Sequence, residues 1–285
     1  MTAGARSLRG GRGRPRSGTI GITMIAVLAM VLTAGPLVLM VLASVMTQAE
    51  VTSTPPTLIP SEPQWSNFGA VFDRVPFTRY LLNSLVVAGI AAPLSTFVSS
   101  MAGYAVARLR FPGRDVLFVV ILSTMMVPFA VTVVPLFLFV KSLGLLNSYV
   151  AIILPFVASG YGIFLFRQFF LSLPRELEEA ATVDGATPLR VFRSVAMPLA
   201  KPIYAALGAF NFLFFWNMYF WPLIVSQSAD MLLVQNGMGQ FVGQHSTDWQ
   251  LIMAASTMAI IPGLFIFVFL QRYLVAGVKL SGLRG

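Results

Sequence analysis

Of the side chains that usually carry chemistry, this chain offers few. It has no cysteine and a single histidine, His245, among 285 residues. A thiolate nucleophile, a disulfide and a cysteine-bound metal are therefore excluded, and a zinc cluster or a Ser-His-Asp relay has only His245 to draw on. The ten carboxylates say more through their positions. Glu176, Glu178, Glu179 and Asp184 fall within residues 173–202, LPRELEEAATVDGATPLRVFRSVAMPLAKP, with Arg175, Arg190, Arg193 and Lys201. Such a charged island between apolar runs has two readings: a surface that pairs with the Arg or Lys of a partner, or a polar loop facing solvent at the membrane surface. Ala180 and Ala181 leave a face low enough for another backbone to approach closely.

The local sequence supplies the scaffold for these residues. Pro174 suits a first helical position, RELEEAATV consists of good helix formers, and Gly185 stands where a helix end accepts a left-handed residue. Thr187 then fits an N-cap with Pro188 behind it, and Leu189, Phe192, Val195 and Leu199 keep a helical period. The island reads as helix, tight turn, helix. Its first helix is about nine residues, or ~13 Å, long.

Around the island the chain is oily. It is 57% hydrophobic and 10% charged, where a soluble domain carries about a quarter charged residues. The apolar runs predict six membrane spans, over residues 19–46, 80–107, 116–140, 149–166, 203–226 and 251–270. The first run is too long for a signal-peptide core and reads as an uncleaved span. The expected organisation is a basic tail (1–18), this first span, an external loop (47–79), a membrane domain (80–274) holding the island loop (171–202), and a C-terminal tail (275–285). Net charge is +9, yet the bases follow topology and give no basic patch for nucleic acid. All but Arg74, Arg79 and Lys141 fall on the tails, the turn at 108–114 or the island with Arg167, whereas the acids divide evenly. The positive-inside bias then places both termini and the island in the cytoplasm. A membrane-surface role for the N-terminal arginines toward acidic lipid is a further reading.

No charge lies near the middle of an apolar run, which weakens an ion-coupled mechanism. No GxxxxGK[ST] loop is present to cradle nucleotide phosphate. If transport is actively driven, the engine is another polypeptide.

Glu179-Ala180-Ala181, three residues, Gly185, nine residues, Val195, one residue, Met197, Pro198 is a spacing that resembles the EAA signature of ATP-binding-cassette importer permeases. Val195 and Met197 replace the usual Ile and Leu and keep an apolar contact. Asp184-Gly185-Ala186, FLFRQFF (164–170), WNMYFWPL (216–223) and QRYLVAG (271–277) resemble the MalG-type subunit of carbohydrate and glycerol-phosphate importers. The resemblance runs from the first span to the C-terminus. It implies an all-α integral membrane protein of the type I importer permease fold, with six spans, cytoplasmic termini and a cytoplasmic coupling helix at Glu178 to Gly185. It assigns ATPase coupling to Glu178, Glu179, Ala180, Ala181, Asp184, Gly185, Ala186 and Pro198. It implies four kinds of partner: a second, homologous permease, two ATPase subunits that use the ATP and Mg, an extracytoplasmic substrate-binding protein, and membrane lipid. No cofactor is expected on this chain, and the location is the cytoplasmic membrane of a prokaryote.

The residues that would meet solute are less defined. Asn83, Asn211, Trp216, Asn217 and Tyr219 can hydrogen-bond a polyhydroxylated solute or stack on it, and the same residues fit helix packing or an interfacial aromatic belt. Gly237, Gly239 and His245 lie in the second external loop, which the resemblance makes a contact for the binding protein; a plain external turn is the other reading. Pro36, Pro93, Pro128, Pro135, Pro155, Pro222 and Pro262 interrupt or flank the spans, as in bundles that open alternately to either side. From these residues an ATP-independent six-span carrier or channel stays open beside the importer, and a membrane enzyme lacks a catalytic constellation.

Overall fold

The protein is described by a computed structural model over residues 17–243 and 247–281, with side chains over 21–243 and 247–269. Most of the basic N-terminal tail, His245 and the last four residues lie outside the described residues. Helix α1 (Ser17–Ser44) is apolar on every face and packs along one neighbour, the last helix. The most apolar 18-residue stretch of its candidate span, Gly21–Ser44, buries none of its residues inside the protein. A helix hydrophobic all round and uncovered by its own chain belongs in lipid or against another subunit.

Helix α2 (Phe77–Arg108) is the axis of the bundle. One stripe of it is made of small residues, Ala88, Ala91, Ala92, Ser95, Ser99, Ser100 and Gly103, all buried. Small side chains let helices approach closely where the hydrophobic effect gives no drive between them. Helices α5 (Gly160–Ser172) and α7 (Lys201–Trp216) take that place. The approach is tight: a Cβ on Gly103 would stand 2.6 Å from Phe166 Cβ.

The predicted third, fourth and fifth spans are bent or broken in the structure. Residues 116–140 are not one straight helix. Helix α3 (Arg114–Thr124) and helix α4 (Phe129–Ser142) meet at 102°. Pro128 is the physical reason, since the ring disfavours helical backbone at Val127 and removes a donor. The fourth predicted span bends by 45° between Tyr149–Phe156 and α5. There Pro155 sits in a 3-10 turn and Ser159 restarts the helix by accepting from Gly162 N at 3.2 Å. Helix α5 also continues to Ser172, so Arg167 lies within it, its guanidinium 4.0 Å from the centre of the Phe118 ring. The fifth ends at Trp216 and resumes as the short helix Phe220–Val225. The last helix, α8 (Trp249–Ser281), is unbroken through Pro262 and longer than its apolar run.

The buried apolar residues form two main clusters. The larger gathers Phe77, Tyr80, Val87, Phe215, Trp216, Trp221 and Phe241 around the first half of α2. The smaller surrounds its last turns, with Tyr104 edge-on to Phe170 at 5.4 Å and against Phe192 at 5.1 Å. This second cluster carries the polar island.

Candidate functional site

The island folds as helix α6 (Glu176–Val183), a turn, and a helical segment from Pro188 to Leu199. Pro174 lies ahead of the helix, which begins at Glu176, instead of opening it. Three acids in the first turn, Glu176, Glu178 and Glu179, face the positive end of the helix dipole. The far end closes as a Schellman motif: Gly185 N donates to Thr182 O at 3.0 Å and Ala186 N to Ala181 O at 3.0 Å. That closure needs the left-handed backbone found at Gly185, φ 81°, where a side chain costs about 1–2 kcal/mol. Thr187 caps the next helix by accepting from Arg190 N at 3.4 Å, with Pro188 behind it as the sequence predicts. A π-helical turn over Phe192–Ala196 then precedes Pro198.

The knob so formed has two faces. Toward the bundle, Arg108 Nε at the end of α2 stands 3.0 Å from Glu178 Oε1, an ion pair by distance whose N–H is out of line for a hydrogen bond. The same guanidinium donates from Nη2 to Leu173 O at 2.6 Å. The two side chains are 5% and 16% exposed, so water screens the pair little, and removing one partner would leave an uncompensated charge at a cost of about 3–5 kcal/mol. Toward solvent, Glu179, Ala180, Asp184 and Gly185 are exposed, Ala181 and Ala186 half-buried, and Pro198 exposed. Beside them Val183 is 87% and Leu189 60% exposed. Acids rimming uncovered apolar side chains on a rigid projection make a surface suited to a protein partner.

Sequence reasoning treated Arg108 as a topology charge and missed its contact with Glu178. The two are far apart in the chain, and no periodicity links them.

The predicted solute-path residues are not brought together. Asn83 is fully buried, donating to Asp230 O at 2.7 Å and Leu232 O at 2.9 Å and accepting from Tyr149 Oη at 2.7 Å. Trp216 is also buried, donating from Nε1 to Ala259 O at 3.0 Å, and its ring stacks on Phe212. Both side chains hold helices together. Asn217 and Trp216 border a crevice of about 370 Å³ with Gln235 and Ser256. Asn211 borders a separate one of about 330 Å³ with Ser95, Ser159, Tyr161 and several Phe rings. Tyr219 is exposed, and its carbonyl accepts from Asn236 Nδ2 at 2.8 Å. In the loop after Phe220–Val225, Gly237 is buried, where a Cβ would meet the Tyr80 ring at 2.1 Å, while Gly239 is exposed with open space around it.

An all-helical membrane chain with long and broken apolar helices around a projecting EAA knob has the make-up of an importer permease subunit, and the comparisons agree. Residues 95–280 match the family described as binding-protein-dependent transport system inner membrane component. The chain belongs to that family. It is 35% identical over 270 residues to the arabinooligosaccharides transport system permease protein AraQ of Halalkalibacterium halodurans, covering 94% of this chain and 95% of that one. It is 36% identical over 250 residues to the sn-glycerol-3-phosphate transport system permease protein UgpE of Pectobacterium atrosepticum, covering 85% and 89%. Among solved structures, a bacterial ABC transporter involved in import of the acidic polysaccharide alginate superposes with a TM-score of 0.77 at 26% identity, covering 90% of this chain and 95% of that one. The bacterial alginate ABC transporter in complex with an alginate pentasaccharide-bound periplasmic protein has the same fold, with a TM-score of 0.63 at 15% identity, covering 88% and 92%.

Proposed function

We propose that this permease carries a sugar, oligosaccharide or related polyol inward by alternating access, driven by separate ATPase subunits docked on α6. The exposed acid-and-apolar face of the knob, Glu179, Val183 and Leu189 over the Gly185 turn, carries the reading. Six spans, with the α3 and α4 pair as the third, the pair over 149–172 as the fourth and α7 with Phe220–Val225 as the fifth, place both termini and the knob in the cytoplasm. A second, homologous permease covers apolar surface that this chain leaves open, such as Met126 and Val131. ATP and Mg are used by the ATPases, and this chain contributes no hydrolytic group. The named solutes of the relatives, arabino-oligosaccharide, glycerol phosphate and alginate, support a carbohydrate or polyol.

Solute passes beside Asn211 and Asn217, the path residues that border crevices without being buried. Outside, the segment around Gly239 and His245 meets a substrate-binding protein that delivers the solute. The test is purification through a tag on this chain, with co-purifying proteins identified and ATP hydrolysis assayed. An ATPase and a second permease should accompany the wild type. Glu179→Lys should release the ATPase, and Gly185→Pro should abolish transport, with membrane insertion retained in both. A chain that purifies alone and moves solute in liposomes without ATP would refute the proposal.

A further inference from the structure

Helix α2 is tied down at both ends by groups that leave other elements no slack. At one end Arg108 holds Glu178 of α6 at 3.0 Å and the carbonyl of Leu173, where the chain enters the knob. At the other, Asn83 bonds the carbonyls of Asp230 and Leu232, Ser84 Oγ accepts from Val234 N at 2.8 Å, and Arg79 Nε donates to Asp230 O at 3.3 Å. The helix that joins these ends is unbroken over its 32 residues, through Pro93, or about 48 Å at 1.5 Å per residue. The helices around it are bent or meet bends: α3 and α4 lie at 102°, α5 at 45° to the segment before it, and α7 at 79° to the end of the knob, Pro188–Leu199.

We infer that α2 is the strut that carries movement of the docking helix to the outer loop around residues 229–237, and that the Arg108 and Glu178 pair is its coupling pin. The pin joins the negative end of one helix to the positive end of another, each bearing the side chain that its dipole favours. Water has little access to it, so the pair acts as a short, stiff link and not as a solvated surface contact. Arg108 and Glu178 are positioning residues in this scheme, since neither meets solute or nucleotide. The inference rests on the importer reading, because it needs an ATPase to move α6.

The absence of cysteine gives a clean reporter. Ala229, exposed beside the residue that Asn83 and Arg79 hold, is replaced by Cys in the complex purified through a tag on this chain. Its reaction rate with a maleimide is compared with and without a nonhydrolysable ATP analogue. In otherwise wild-type complex the nucleotide should change the rate. In Glu178→Gln, which keeps the shape and removes the charge, the ratio should fall toward one, a loss within the ~5- to 150-fold range of coupling between sites. Arg108→Gln should do the same, and the double variant should be no worse than either single, because a pin is lost only once. The ATPase should still co-purify in all three.

An undiminished nucleotide response in Glu178→Gln overturns the strut, as does additivity in the double variant. Loss of the ATPase from the variants also overturns it, by making the pair a docking determinant. Absence of an ATPase from the wild-type complex is a different failure, because it removes the importer reading and the strut with it.

Discussion

Glu50 shows how a solvent-facing carboxylate can organise a loop. Its Oε2 accepts from Thr47 N at 2.9 Å and its Oε1 from Ser61 N at 2.9 Å, closing a capping box and fastening a second stretch of the loop over 47–79. The Thr47 amide first, then the Ser61 amide, pull its pKa from 4.5 down to about 2. A carboxyl depressed in the folded state contributes stability above its unfolded pKa and loses it as pH falls through the folded one. The loop's contribution should therefore be full above about pH 5 and fade between 4.5 and about 2. Proteolysis across residues 47–63, followed from pH 6 to 3, should accelerate in the wild type over that window. Glu50→Gln should cleave faster at neutral pH and show no such acceleration; identical profiles would refute this role.

At the same scale, what could be read in advance depended on how local the cause was. The Gly185 turn and the Thr187 and Pro188 start were legible because caps are settled within a few residues. Glu178 was placed correctly on the knob but assigned wholly to a partner. The guanidinium facing it comes from another helix, and such a pairing leaves no trace in the spacing of either segment.

Among elements, the loop after Phe220–Val225 is held by fit as much as by hydrogen bonds. Asn147, with φ 58°, accepts from Gln227 N at 2.9 Å and from Ser228 N at 3.1 Å, and Gly237 seats against Tyr80. Gly237→Ala forces a methyl into the ring of Tyr80 and should destabilise the protein by about 1–3 kcal/mol. The measurement is the thermal unfolding midpoint in detergent. Shrinking the ring in Gly237→Ala/Tyr80→Leu should recover part of the loss, and no change in the single variant would mean that the loop yields freely. Apolar content marked where the apolar helices lie, but the breaks at 125–128 and 157–159 were submerged in runs that hydropathy reads as continuous. Pro128 and Pro155 were visible; which prolines break a helix was not, since α2 and α8 continue through Pro93 and Pro262.

For the whole molecule, the distribution of bases gives a definite expectation of sidedness. In the cysteine-free background, Cys at Ala229 should react with a membrane-impermeant maleimide in intact spheroplasts. Cys at Val183, on the exposed knob, should react only after the membrane is opened. The reverse pattern would invert the topology and take the knob away from ATP. Architecture and family were legible across nearly the full chain, whereas the path was not. Uncharged polar residues can serve helix packing and solute contact alike, and their spacing does not show that Asn83 and Trp216 are buried while Asn211 and Asn217 border crevices.

The right-angled junction of α3 and α4 bears on how the protein is made. With 11 and 14 residues, the two helices measure about 17 and 21 Å, and neither alone crosses the ~30 Å hydrocarbon layer. Set at 102°, they can cross only as a bent pair and not as one straight helix. The insertion machinery, which responds to apolar content as the chain emerges, meets one sufficiently oily stretch and can admit it as a straight helix. The bend at Pro128 then belongs to a later stage, once α2 and α5 are present to pack against α3. Biogenesis and the finished shape thus answer to different residues of the same segment: its valines and leucines govern entry, and one proline governs what it becomes.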